Sequence, residues 1–478
     1  MNRRDFVKGF GTAGVVAANV SSYAGLLSSR PNILILITDQ QSADAASYRM
    51  GSKYIHTPHM DSVASQGVVH TRAYCANPLC APSRTSMFTG RYPTAIQVMD
   101  NGDAISLNLT LVNYPQMFPL MGRIFQGGGY ETGYFGKWHI PCPISRSDIH
   151  GFATAKMGQG LFGTGSVDAV TAADAAAFIG QKHQAPFLAV ASFLDPHDIA
   201  QWARGQALPQ GPIGQPPPLD ELPPLRANLA PQKDEPDTIT LMRRSYQSAP
   251  MFPVGKFDDT KWRQYEWAYY RLIEKSDAQI GIVLQALRAS GHEQDTLVVM
   301  LSDHGDCQGA HHWNQKTVFY EESARVPFVL SLPGTIRPGV SNRLVNTGID
   351  LIPTLCDYAG IAAPGDLPGL SLRNPEFDLR KYVVVSDKMI EGAPLNGWKP
   401  NPTGRMLRGQ RYKYCAYSEG QRRESLVDLQ QDPGEMMNLA ADPHFHKELN
   451  DHRAMLALWC KKTHDSFCVP GEQRVACV

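Results

Sequence analysis

Residues 31–38 read PNILILIT, a short and nearly unbroken apolar run rich in β-branched residues. A strand with one wet face would alternate apolar and polar residues, so this run fits a strand buried on both faces of a parallel sheet. It stops at Asp39. Similar runs occur at 186–194 (PFLAVASFL), 296–301 (TLVVML) and 326–332 (VPFVLSL), separated by helical stretches such as Ala172 to Gly180 and Lys261 to Ser290. Apolar strands alternating with helices predict an α/β fold, a large and mostly parallel sheet sandwiched by helices. In such folds ligands bind outside the carboxyl ends of the strands. Three of the runs end in Asp39, in Asp195-Pro196-His197-Asp198 and in Asp303-His304-Gly305-Asp306. Three such endings predict one common site along that edge.

Outside this frame the texture changes twice. From Gln206 to Pro253 the chain is proline-rich and poor in periodic apolar residues, which predicts a long surface excursion that could rim a pocket. After about Pro368 short strands and turns follow, at Tyr382 to Val385, Arg411 to Ala416 and Glu424 to Asp428, closed by a helix from about His446 to Lys461. The expected organisation is therefore a leader over 1–29, a catalytic domain over 30–367 and a smaller α+β subdomain over 368–478.

The leader reads as an address. Asn2-Arg3-Arg4-Asp5-Phe6-Val7-Lys8 resembles a twin-arginine export signal, and a weakly apolar run follows to about Leu27. Thr12, Asn19, Ser21 and Ser22 interrupt that run, making it a poor membrane span of ~20 residues. A bacterial protein exported to the periplasm or the medium is expected, touching the membrane only through its signal. The 478 residues carry 45 acidic and 45 basic side chains, and removing the leader leaves 42 basic against 44 acidic. That balance argues against nucleic acid as a partner. Nine cysteines, at 75, 80, 142, 307, 356, 415, 460, 468 and 477, show no zinc-ligand spacing. Cys460, Cys468 and Cys477 are the closest-set candidates for a late disulfide.

The most specific motif is Cys80-Ala81-Pro82-Ser83-Arg84, followed by Thr89-Gly90-Arg91. Pro82 and Ser83 are good openers for a short helix running to Phe88, with Gly90 as its terminator. Residue 80 then sits at a helix N-terminus, where free N–H groups and the dipole favour an anion. The motif resembles the signature of the formylglycine-dependent, Cys-type sulfatases, of alkaline phosphatase-like fold. That resemblance implies oxidation of Cys80 to formylglycine (3-oxoalanine) by a maturation enzyme. A hydrated aldehyde suits the reaction, because one hydroxyl can attack sulfur and loss of the other's proton then expels sulfate and restores the aldehyde.

The same resemblance implies a metal site made of Asp39, Gln40, Asp303, His304 and residue 80. Oxygen-dominated ligands argue for a hard cation, Ca²⁺ first and Mg²⁺ behind it. Gln40 stands where a second Asp is frequent in the family and His304 where Asn is frequent. A third group resembles further sulfatase blocks: Lys137 and His139 in Gly136-Lys137-Trp138-His139, His197, and Lys316 ahead of Tyr320-Glu321-Glu322 and Arg325-Val326-Pro327. Arg84, Lys137 and Lys316 are expected to clamp the negative charge on the transferring sulfuryl group. His139 would take the proton that collapses the sulfated intermediate, while His197 and Lys316 would assist the departing alkoxide. Lys137, His197, Lys316 and His311 are the expected substrate-binding residues. Arg411 to Tyr414 and Ser425 to Ala440 resemble the C-terminal block of the family.

The expected activity is hydrolysis of sulfate esters, on a sulfated polysaccharide or oligosaccharide or on a small ester. Two other readings stay open. One is a phosphonate monoester or phosphodiester hydrolase of the same fold, and the other is a non-catalytic binder of sulfated glycans.

Overall fold

Residue 32 opens the central strand of an eight-stranded sheet in the computed structural model, which describes residues 30–102, 116–158 and 167–471. Its strands are β1 (Asn32–Asp39), β2 (Val68–Tyr74), β3 (Glu131–Gly136), β4 (Thr154–Met157), β5 (Phe187–Pro196), β6 (Thr296–Ser302), β7 (Phe328–Ser331) and β8 (Gly339–Asn346), in the order β4-β3-β5-β1-β6-β7-β2-β8. β1 is paired in parallel on both sides, Ile35 lying opposite Val190 of β5 and Val299 of β6. Its unbroken apolar run has a direct cause. Leu34 and Leu36 enter the core on one face of the sheet while Ile33, Ile35 and Ile37 enter the core on the other, as a period of two demands.

The segment 326–332, read as another run of the same kind, is the one antiparallel member of this sheet. β7 runs against both β6 and β2. No long crossover helix separates β6 from β7, only irregular chain with two short turns at Ala310–His312 and Glu321–Ala324, and without such a crossover a parallel return is out of reach.

The helices that frame the site are α1 (Cys80–Thr89), α2 (Asp168–Ile179), α3 (Ile199–Ala203), α4 (Asp237–Ser248), α5 (Asp259–Ala289), α6 (Thr347–Ala359) and α7 (His446–Thr463). α2 and the 31-residue α5 cover one face of the sheet, and α1 and α6 the other. α5 starts where Asp258 caps it, its side chain accepting from Lys261 N at 2.8 Å. The excursion over 206–253 holds α4, which sequence reading left out. Ile239, Met242 and Tyr246 recur at three- and four-residue spacing and are buried, but the prolines before them masked the period.

A second, antiparallel sheet follows: β9 (Tyr382–Lys388), β10 (Thr403–Gly409), β11 (Tyr412–Tyr417) and β12 (Glu424–Asp428), in the order β12-β11-β10-β9. α7 covers one face through Leu449, Leu456 and Trp459 against Leu407, Tyr414 and Leu426. The other face, with Val383, Val385, Met406 and Cys415, packs onto Tyr74, Trp313 and Phe319 of the first layer. β10 had no sequence signal of its own, because its middle residues Arg405-Met406-Leu407-Arg408 place buried arginines among the apolar ones.

Cys468 is disulfide-bonded, while Cys477 and the leader 1–29 lie outside the described residues. Cys75, Cys142, Cys307, Cys356 and Cys415 are buried free thiols. Among the described residues no helix is long and apolar enough to cross a membrane.

One backbone position ties the fold to the site. Gly136, at the carboxyl end of β3, has φ 99°, and a Cβ there would stand 2.1 Å from Ser192 O. Gly136→Ala should therefore cost at least about 2 kcal/mol, from left-handed strain plus a clash with backbone that cannot yield. A thermal unfolding midpoint equal to wild type would contradict this.

Candidate active site

Asp39 ends β1 and Gln40 follows it, Asp303 and His304 follow β6, Lys137 and His139 follow β3, and His197 follows β5. The carboxyl ends of four neighbouring strands thus deliver their polar residues to one edge. α1 supplies the rest. Leu79 is its N-cap in extended conformation, and Gly90 ends it with φ 71°. Cys80 lies in the first turn, where Pro82 gives up no helical hydrogen bond. Arg84 falls four residues later, on the same side of the helix.

Arg84 is the hub. Its Nη2 donates to Asp39 Oδ2 at 2.9 Å and its Nε to Asp303 Oδ2 at 2.7 Å, while Nη1 donates to Lys137 O at 3.0 Å and to Ser192 Oγ at 2.8 Å. All three side chains of the Asp39–Arg84–Asp303 group have no solvent exposure. This corrects one expectation: Arg84 is not part of a clamp on substrate. Its donors are committed to two carboxylates, a carbonyl and a hydroxyl, and it does not line the cavity described below.

Cys80 Sγ lies 3.2 Å from His304 Nε2 and accepts from Lys316 Nζ at 3.0 Å. One ligand atom each from Asp39, Cys80, Asp303 and His304 can be chosen so that all four lie within 4.8 Å of one another, and all four residues are buried. These residues fit a divalent cation. Asp39 Oδ1 is buried with no hydrogen-bond partner among the described residues. Burial and the neighbouring Asp39 push the Asp303 carboxyl up, a repulsion that a cation between them would relieve. His304 Nδ1 lies 3.0 Å from Gly305 O, which favours the tautomer that leaves the Nε2 lone pair facing the cluster. Gln40 has φ 72°. Its Nε2 donates to Asp306 Oδ2 at 2.7 Å, and its Oε1 accepts from Lys316 Nζ at 2.9 Å. Tyr265 OH donates to the same Asp306 oxygen at 3.0 Å.

The field at residue 80 favours an anion. Burial alone would push the Cys80 thiol up, but Lys137, Lys316 and His304 outweigh it and drive it well below the usual thiol range. Burial likewise opposes charge on Asp39, yet Lys137, in ion-pair contact with it, and Arg84 hold the carboxyl far down. Burial, with Lys316 and Lys137 alongside, brings His197 down to about 4, and burial also lowers His139. Both imidazoles are therefore neutral near pH 7 and able to accept a proton.

Cys80, Lys137, His139, His197 and Lys316 open together into a cavity of ≈ 280 Å³. Its wall includes residues that sequence reasoning did not find, among them Arg204, Tyr246, Phe252 and Glu391. His311 is not among the lining residues. It is fully buried, stacked on Tyr320 with ring centroids 3.8 Å apart, and neither ring nitrogen has a hydrogen-bond partner among the described residues.

Comparison with known proteins agrees with this geometry. The sulfatase family model matches residues 31–361, and the model of the N-sulphoglucosamine sulphohydrolase C-terminal region matches 309–458. The Delta 4,5-hexuronate-2-O-sulfatase of Bacteroides thetaiotaomicron is 31% identical over 458 residues, spanning 92% of this chain and 90% of that protein. An ulvan-active sulfatase of Formosa agariphila is 28% identical over 476 residues, spanning 92% and 83%. A solved 2-O GAG sulfatase superposes with a TM-score of 0.78 at 29% identity, over 93% of this chain and 96% of that one. With an alkaline phosphatase-like sheet, a matching family model over most of its length and a near full-length relative, this chain belongs to the sulfatase family and is a sulfuric ester hydrolase.

Proposed function

We propose that this sulfatase removes sulfate from carbohydrates outside the cytoplasm, using formylglycine made from Cys80 as nucleophile beside a divalent cation, Ca²⁺ ahead of Mg²⁺. The observation that carries the reading is the position of Cys80 Sγ, between the Asp39, Asp303 and His304 ligand atoms on one side and Lys316 on the other, at the wall of an open cavity. The carbohydrate substrate class is supported by relatives whose names specify a hexuronate 2-O-sulfate and ulvan. Export rests on the twin-arginine-like residues 2–8, and the aldehyde requires a maturation enzyme as partner.

A cation held by Asp39, Asp303, His304 and residue 80 would polarise the sulfate oxygens and favour the ionised nucleophile. The chain's own residues do the rest. Lys137 and Lys316 set two ammonium groups beside position 80, so negative charge developing on the sulfuryl oxygens meets preorganised donors in a dry site. Arg84 acts through Asp39 and Asp303 by fixing their carboxylates, a positioning role. His139 and His197 are held neutral by burial and by the lysines. A bound sulfate would screen those lysines, which raises the proton affinity of His197 and suits it to carry a proton toward the leaving oxygen.

Cys80→Ala should abolish turnover of sulfated sugars while leaving the unfolding midpoint unchanged, and residual turnover would remove residue 80 from the chemistry. Mass spectrometry of the peptide containing residue 80 should show the aldehyde after co-expression with a maturation enzyme; an unmodified thiol there would favour a glycan binder. Lys137→Ala, His139→Ala, His197→Ala and Lys316→Ala should each lower kcat/KM by roughly 10²- to 10⁴-fold, and wild-type rates in most of them would overturn these roles. Chelation should silence the enzyme and Ca²⁺ should restore it. A higher kcat/KM on aryl phosphonates than on aryl sulfates would instead favour phosphonate hydrolysis.

A further inference from the structure

The catalytic cavity carries more charge than sulfate-ester hydrolysis uses. Of its cations, Lys137 is paired with Asp39, and Lys316 is bonded to Gln40 Oε1 and Cys80 Sγ. Arg204 is a third cation on the wall, at the C-terminal end of α3. It forms no ion pair among the described residues; its Nε donates to Gln206 Oε1 at 2.9 Å, and it stands close enough to Tyr246 to act on that hydroxyl. Glu391, in the chain between β9 and β10, is a half-buried carboxylate on the same wall that likewise forms no ion pair among the described residues. The two side chains share one cavity without forming an ion pair; burial pushes the Glu391 carboxyl up, and nearby Lys316 opposes that. Tyr246 and Phe252 fill the wall as a stacked pair, ring centroids 3.7 Å apart. At ≈ 280 Å³ the space is below the roughly 300–1,000 Å³ usual for sites that enclose a drug-sized ligand, so it suits about one sulfated ring.

A guanidinium without an ion pair on the wall of a substrate cavity is best satisfied by a planar or tetrahedral oxyanion, which it binds through two N–H groups at once. An unpaired carboxylate is satisfied by hydroxyl or ammonium donors. From this juxtaposition, and resting on the carbohydrate reading above, we propose that the enzyme selects an acidic sugar: Arg204 binds a second anionic group on the ring that bears the scissile sulfate, and Glu391 receives that ring's hydroxyl or amine hydrogens. The second anion is a carboxylate or another sulfate, which share this chemistry. Arg204 is then a specificity-determining residue outside the sulfate-cleaving group.

Three probes test the assignment: a 2-O-sulfated hexuronate, its carboxyl-reduced hexose counterpart and a 2,6-di-O-sulfated hexose. The wild-type enzyme should prefer the uronate, the disulfate or both over the reduced sugar by roughly tenfold or more in kcat/KM, the scale of one charge-assisted bidentate contact. Whichever is preferred identifies the second anion. Arg204→Gln should erase the preference, mainly through KM, and Arg204→Lys should restore part of it; a structural role for Arg204 would move all three probes alike. A wild-type enzyme that handles the reduced sugar as well as the other two, or a preference that survives Arg204→Gln, overturns the proposal. If none of the three is desulfated, the carbohydrate reading fails for these sugars. Calorimetric binding of the same probes to Cys80→Ala, with and without Arg204→Gln, then decides the role of Arg204 separately, equal affinities in the two backgrounds counting against it.

Discussion

One guanidinium, buried between two carboxylates, sets the geometry on which everything else rests. Arg84 joins Asp39 at the end of β1 to Asp303 at the end of β6, two strands that pair in parallel but are more than 250 residues apart in sequence. Taking three charges out of water costs several kcal/mol each, and their attraction offsets this only if the geometry is good and the remaining donors are filled. Here four of the five N–H groups are used, since Nη1 also reaches Lys137 O and Ser192 Oγ on the neighbouring strands. The group therefore adds little net stability but fixes strand ends, and it makes any displacement of α1 expensive. Residue 80, one helical turn before Arg84, inherits that fixity.

The same charges explain why the site needs both a cation and an anion to be at ease. Asp39 and Asp303 face each other with Arg84 as their common partner, and a buried oxygen of Asp39 is left over. Cys80 also lies in the field of Lys137, Lys316 and His304, which stabilises negative charge there. A cation on the carboxylate side and a sulfate on the lysine side would complete both halves, with residue 80 at their boundary. That is the arrangement in which a nucleophile and the group it attacks feel opposite ends of one preorganised field.

Much of this was legible in the chain. A strand buried on both faces has to be apolar throughout, so β1, β5 and β6 announced themselves, and the polar residues that ended them marked the site edge. The Cys80–Arg84 segment carried both helix signals and chemistry at fixed spacing. What stayed hidden has physical reasons. β7 is as apolar as the parallel strands of its sheet, and only the missing crossover reverses it. α4 is a half-buried element behind prolines, and β10, though buried, carries arginines among its apolar residues. Arg84 was expected to face the substrate because its charge suits a sulfate, but a charge alone does not say which of two nearby anionic partners it will meet. His311 had the right residue type and neighbourhood, yet its ring is stacked on Tyr320 away from the cavity lining. Arg204 and Glu391 belong to segments nearly 200 residues apart, and no local pattern could pair them.

The two sheets divide the labour accordingly. Every side chain assigned to the chemistry comes from the first sheet's strand ends, from α1, or, as Lys316, from the irregular chain between β6 and β7. The second sheet gives none, but it holds the approach to Cys80 from outside: Ser386 N donates to Ala76 O at 3.0 Å, and Asn346 Nδ2 reaches Val384 O at 2.9 Å. Buried Lys413 reinforces this seam, donating to Phe319 O at 2.8 Å and pairing with Glu435. The cavity wall away from residue 80, by contrast, is drawn from α3, from α4 and the chain after it, and from the chain between β9 and β10, none of which holds the cation ligands. A wall carried by such segments can change its charge and shape without disturbing the Arg84 group, because no ion pair among the described residues links Arg204 or Glu391 to it. Chemistry in this molecule is thus anchored at the buried strand ends of the first sheet, and the cavity wall beyond it is carried by the segments that connect its elements.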